Sequence, residues 1–281
     1  MILLLFFNFL FAGSDSLLVK EKEITGYSNA VSMTIDAKEN LYVLDADRNE
    51  ILKYDTGLEL VKRNGKQGWD KGQFDSPTNI DGSSGLDIFV SDGKNRRIQR
   101  FDLNLNFIAS LNTALTDFPS DLQFNTPLAT LVLNTKELYV IDSDNNRIVI
   151  YKDGKEPSNV FGDYKSGKGE LRRPVRILKD AANFIYVLDK ETASILSFDN
   201  LGNYLSKYSV KNLETFAIRD NKMYLFDGKS ITVYDLTTRD LLKKVFLPAG
   251  TKRKYFTDLL VLSGERYLLL GKKSLSLWRQ N

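Results

Sequence analysis

One recurring hairpin constrains this chain more than anything else in it. The pattern is clearest over residues 138–151. Leu138, Tyr139, Val140 and Ile141 form one apolar arm and Ile148, Val149, Ile150 and Tyr151 the other. Between them lie Asp142, Ser143, Asp144, Asn145 and Asn146, residues whose short polar side chains favour turns. The pattern returns at residues 41–54, 88–101 and 185–198, and in shorter form at 223–234 and 267–278. Its anchor position reads Asp45, Asp92, Asp142, Asp189, Asp227 and finally Gly271, at spacings of 47, 50, 47, 38 and 44. Self-similarity at this period implies an array of like supersecondary units, each unable to bury its apolar faces alone.

Each of the first five repeats accommodates four short strands. The sixth has only three, at residues 259–262, 267–270 and 275–278, before the chain stops. Ahead of the first repeat, residues 17–24 read as a strand with no hairpin of its own. One deficit and one spare strand suggest a ring closed by pairing the chain ends, which removes the open edges of a linear array. The expected fold is all-β: a six-bladed β-propeller over residues 15–281, with the N-terminal strand completing the C-terminal blade.

At the level of individual residues the repeats resemble a known family. Gly72, Gln73, Phe74, Asp75, Ser76, Pro77, Thr78, Asn79 and Ile80 precede Ile88–Asp92 and then Asn95, Arg96, Arg97 and Ile98, a pattern similar to an NHL repeat. Gly169, Glu170, Leu171, Arg172, Arg173, Pro174 and Val175 repeat its first half, and Asn145, Asn146, Arg147 and Ile148 its second. The match is good in repeats two to four, partial in the first and degraded in the last two. The resemblance implies a propeller but no one activity, because such folds serve as protein scaffolds, RNA-binding domains and a few enzymes.

Residues 1–11 are apolar apart from Asn8, and Ala12, Gly13 and Ser14 follow. A short apolar run before small residues resembles a secretory signal, although the usual leading basic residues are missing. It is too short to span a bilayer, which takes about 20 residues. The expectation is removal of residues 1–14 and a periplasmic or secreted product. With no cysteine, the chain has no disulfide, thiolate metal site or cysteine nucleophile. With no histidine, chemistry that needs an imidazole base or ligand is excluded. Net charge is +3, but residues 206–281 carry +8 and the remainder −5. This basic third could face an acidic partner, or it could be solvated strand edges where lysine discourages pairing.

The repeated Asp reads as structural, accepting hydrogen bonds from turn amides, with Arg97 and Arg147 in the same network. Asp45, Asp47, Asp142 and Asp144 resemble the start of a calcium loop, but its Gly and distant Glu are missing, so they read as turns. The aromatics Tyr54, Phe101, Tyr151, Phe198, Tyr234 and Trp278 end each third strand and suit packing between blades. The glycine-rich loops at 65–72 and 162–169 lack the Gly-Lys-Ser/Thr ending of a phosphate loop. Trp69 and Tyr164 occupy equivalent points in them and are candidate partner anchors. Arg172, Arg173 and Arg176 sit at the entry to the fourth repeat's first strand; such strands line a propeller's central channel, so these guanidiniums are expected to border its mouth, and either they or Lys252, Arg253 and Lys254, before the sixth repeat, could hold an acidic peptide or polyanion.

These residues suggest an exported, non-catalytic propeller that binds another protein or peptide, with no cofactor, metal or nucleic acid expected. The alternative is a metal-dependent lactonase-like hydrolase using carboxylate and amide ligands.

Overall fold

The computed structural model describes residues 16–251 and 256–281, so the expected signal segment and Lys252, Arg253 and Lys254 lie outside the described residues. The chain is an all-β propeller. After β1 (Ser16–Thr25) come four four-stranded antiparallel sheets. The first holds β2 (Ala30–Ile35), β3 (Leu41–Asp45), β4 (Glu50–Tyr54) and β5 (Leu60–Asn64). The second holds β6 (Pro77–Asp81), β7 (Asp87–Asp92), β8 (Arg97–Asp102) and β9 (Phe107–Leu111). The third holds β10 (Pro127–Val132), β11 (Leu138–Asp142), β12 (Arg147–Lys152) and β13 (Glu156–Phe161). The fourth holds β14 (Pro174–Lys179), β15 (Ile185–Asp189), β16 (Ser194–Phe198) and β17 (Tyr204–Ser209).

The remaining strands form one eight-stranded sheet. It comprises β18 (Thr215–Arg219), β19 (Lys222–Phe226), β20 (Ser230–Asp235) and β21 (Leu241–Phe246), then β1, then β24 (Ser274–Gln280), β23 (Arg266–Gly271) and β22 (Phe256–Leu262). β1 runs antiparallel to β24, with Leu18 opposite Gln280 and Thr25 opposite Ser274. Among the described residues it pairs in parallel with β21 through Ser16–Val245 and Leu17–Phe246. The join between the two halves of this sheet is therefore one short contact at the tip of β1.

The first strands β2, β6, β10, β14, β18 and β22 stand side by side in a closed ring around a central channel. Burial follows position. The second strands β3, β11 and β15 are buried at every residue, because sheets cover both their faces. This explains their unbroken apolar sequence. The outer strand β17 alternates half-buried and exposed residues, and Leu60–Arg63 of β5 is exposed throughout. Aromatics from neighbouring sheets fill the wedges between them. Phe198 meets Phe161 of the preceding sheet at 4.8 Å between ring centroids, and Phe101 meets Phe74 at 5.9 Å.

The first strands start on one face of the disc, here called the upper face, and end on the lower face. The turns joining second to third strands lie on the upper face. Four of them place their fifth residue in the left-handed region: Asn49, Arg96, Asn146 and Ala193, at φ of 53°, 52°, 49° and 46°. Asparagine tolerates this conformation and alanine does not, so Ala193 carries local strain.

Candidate functional site: the channel and its upper mouth

Asp45, Asp92, Asp142 and Asp189 are fully buried and have a larger role than holding their own turns, whereas Asp227 is exposed. Asp92 accepts from the Asp75 amide at 2.8 Å, Asp142 from the Asn125 amide at 3.1 Å, and Asp189 from the Arg172 and Arg173 amides at 2.6 and 3.0 Å. Asp45 accepts from the Ser28 and Asn29 amides at 2.6 and 2.8 Å. Each carboxylate thus fixes the segment that leads into its sheet's first strand. Arg97 Nε donates to Asp92 at 2.9 Å while its terminal nitrogens donate to the carbonyls of Trp69, Asp70 and Gln73. Arg147 does the same with Asp142, Asp121 and Gln123. The second acids of the calcium-like turns are also engaged: Asp47 accepts from the Asn29 amide group and Asp144 from the Thr126 hydroxyl. Asp227 departs from the pattern: among the described residues it accepts from Lys229 and Ser230, in its own turn.

Inside the channel, polar side chains tie each first strand to its neighbour. Asn79 Nδ2 donates to the Ser32 hydroxyl at 3.1 Å while its Oδ1 accepts from the Thr130 amide at 3.1 Å. The Gly82 amide donates to Thr34, the Val132 amide to Asp81 and the Met33 amide to Asp258. Charge pairs span longer gaps. Arg176 on β14 meets Asp258 on β22 at 2.5 Å, reaching past β18. Arg219 at the end of β18 meets Glu39 at 2.8 Å, reaching past β22. Burial pushes the Asp258 carboxyl up, opposed by Arg176 and the amides of Met33 and Leu259.

Arg176 lines a cavity on each side of it, and Asp258 lines the lower of the two. Towards the lower face is one of about 230 Å³, lined by Thr34, Asp81, Ser83, Lys179, Arg219 and apolar residues of the first strands. Burial raises Asp81 from 3.8 to about 6, offset in part by bonds from Ser83 and Val132 and by the charge of Lys179. Burial also lowers Lys179, whose ammonium donates to Asn134. Towards the upper face is a mouth of about 210 Å³, lined by Thr78, Arg176, Lys190, Glu214, Thr215 and Thr257 among others. Among the described residues, no three carboxylates converge as a metal site would require.

The candidates from sequence separate into three environments. Trp69 and Tyr164 stand out on the upper face, 67% and 77% exposed. The Arg172 and Arg173 side chains are exposed there too, while their amides are held by Asp189. Arg176 is not part of that surface pair: it turns into the channel and is occupied by Asp258. Asp258, Arg219, Glu39, Asp81 and Lys179 were not anticipated. Asp258 had a visible signal, an acid within the apolar run Phe256–Leu262; the pairing of Arg219 with Glu39 had none, as 180 positions separate them.

No protein-family model matches the chain, and no curated protein matches it. Solved structures do. A streptogramin B lyase superposes with a TM-score of 0.65 at 11% identity, covering 95% of this chain and 98% of its own. Virginiamycin B lyase from Staphylococcus aureus gives 0.63 at 10% identity, covering 94% and 99%. A gluconolactonase from Xanthomonas campestris gives 0.64 at 14% identity, covering 92% and 89%. At such identities the likeness establishes the propeller fold and leaves activity open. A further structure is of a catalytically inactive histidine-to-alanine variant of virginiamycin B lyase with quinupristin; this chain has no histidine at all.

Proposed function

We propose that this chain is an NHL-like, six-bladed propeller that acts by binding a protein or peptide on its upper face. In this reading the eight-stranded sheet is two blades joined at the tip of β1, residues 1–14 are a removed signal, and the product is periplasmic or secreted. One contrast carries the proposal. In the channel Asn79, Arg176 and Asp258 are committed to neighbouring strands, whereas the upper face presents Trp69 and Tyr164, both large and exposed. Large aromatics at such positions suit the anchors that dominate protein interfaces. The test is capture from native envelope extract with crosslinking and mass spectrometry. One partner, crosslinked near Trp69 or Tyr164 and lost in the double alanine variant, is the expected result. Equal capture by that variant refutes the anchors.

A second reading is an enzyme of the hydrolase or lyase kind, and the structural neighbours favour it over a scaffold. The observation on its side is Asp81, a buried carboxyl raised to about 6 on the wall of the lower cavity, with Lys179 nearby. Such a shift suits a general acid or base. Turnover of small lactones that Asp81→Asn abolishes would establish this reading and displace the first.

A further inference from the structure

Beside the upper mouth of the channel stand cations that the fold does not use. Arg172 pairs with Glu170 at 3.2 Å, and Arg176 is consumed by Asp258. Lys190 donates to the carbonyls of Leu213 and Glu214 at 2.5 and 2.7 Å. Its amide bonds the Arg173 carbonyl at 3.0 Å, which brings the two cations together. Lys190 is lowered first by burial and further by the charge of Arg173, while Glu214 raises it. Arg173 itself, and Lys211 in the neighbouring loop, are exposed, and no described carboxylate forms an ion pair with either. Arg173 lies two positions before Val175 and Lys211 three before Glu214, both of which line the concave mouth together with Lys190 and threonine hydroxyls.

We infer that this mouth docks an acidic segment of a polypeptide, whose carboxylates pair with Arg173 and Lys211. The inference rests on the binding reading above and names the partner's chemistry. The rest of the upper face decides between classes of anion. Asp47, Asp70, Asp121 and Asp144 lie in its turns and loops on the first three sheets. A nucleic-acid backbone or an anionic bilayer laid across the disc would meet those acids. A short acidic peptide can engage the basic sector alone, and the concave mouth suits a projecting side chain better than a flat surface.

The test uses the full chain and a fluorescently labelled deca-glutamate peptide, read by anisotropy at low and at physiological salt. Saturable binding that weakens with salt is expected, with at least a tenfold loss in Arg173→Glu combined with Lys211→Glu. A smaller loss is expected for Arg173→Gln with Lys211→Gln, which adds no repulsion. Lys94→Glu, on the opposite sector, should leave affinity within twofold. Both cationic side chains are exposed and Asp189 holds only the Arg173 amide, so neither replacement threatens the fold. Absence of saturable binding, or equal loss on reversing Lys94, overturns the inference. Tighter binding of an oligoribonucleotide or of phosphatidylserine vesicles overturns the assignment to polypeptide. If a partner is captured through Trp69 and Tyr164 but is indifferent to the Arg173 and Lys211 reversals, the binding reading stands and this inference fails.

Discussion

Replacing Asp81 by asparagine gives the sharpest test of the channel's electrostatics. Asp81 is 9% exposed, and its carboxyl sits at about 6 in the folded chain against 3.8 ordinarily. Because the folded value is the higher one, the native state binds this proton more tightly than the unfolded state does. The resulting stability is fully present below about pH 4, falls as pH rises towards 6, and is gone above it. The gap corresponds to about 3 kcal/mol. Asparagine cannot titrate, so the variant lacks this contribution. It also places a donor where both carboxylate oxygens accept, from Ser83 and Val132, which costs about 1–3 kcal/mol at every pH. Absolute stability at one pH is thus a poor readout, and the difference between the two proteins across pH is the informative one. Urea unfolding of both at half-unit steps from pH 4 to 8 supplies it. The variant should gain about 2.4 kcal/mol relative to the parent between pH 4 and 7. A difference that stays flat within about 0.5 kcal/mol would show that water reaches Asp81 and that the desolvation argument is wrong.

Three further outcomes follow from the geometry. Asp142→Ala strands Arg147 and the Asn125 amide, and should cost about 3–5 kcal/mol in denaturant unfolding, whereas Asp227→Ala loses one turn and should cost about 1 kcal/mol; equal costs would contradict the distinction between them. Thr130 is 2% exposed and its hydroxyl has no partner, so Thr130→Val should be neutral or stabilising by about 1 kcal/mol, and a loss of stability would reveal a hidden bond. Ala193→Gly relieves an exposed residue at φ 46° and should raise stability by up to about 1 kcal/mol; a fall in melting temperature would refute the strain.

The repeat was legible because the hairpin is local: its arms, turn acid and closing aromatic all lie within fourteen positions. The sequence also exposed the spare strand at 17–24, since counting strands needs no distances, and β1 does lie along β24. Less legible was the second set of turn acids. Asp36, Asp102 and Asp199 each accept from the asparagine four positions on, Asn40, Asn106 and Asn203, a local spacing that a search for the stronger repeat concealed. The channel pairs were illegible for a different reason. Arg176 and Asp258 meet only because the ring brings blades that are distant in sequence across a shared axis. A pattern of residue types along the chain carries no information about that crossing. Arg176 therefore looked like a neighbour of Arg172 and Arg173, although alternation along β14 turns it inward.

The position of β1 fixes the order in which the molecule can be assembled. Its long partner, β24, lies 249 to 262 positions further along the chain, so β1 must wait for that stretch to be made. At about 5–20 residues per second this is a delay of roughly 13–55 s. During that time Leu17, Leu18 and Val19 have no long strand to pair with, and the sheet built from β18 to β21 has no companion beyond it. Pairing β1 with β24 joins residues 249 to 262 positions apart. Closure at such separation is slow relative to local hairpin formation. A chain interrupted before β24 would therefore leave β1 without its long partner, an open strand available to pair with other unfinished chains.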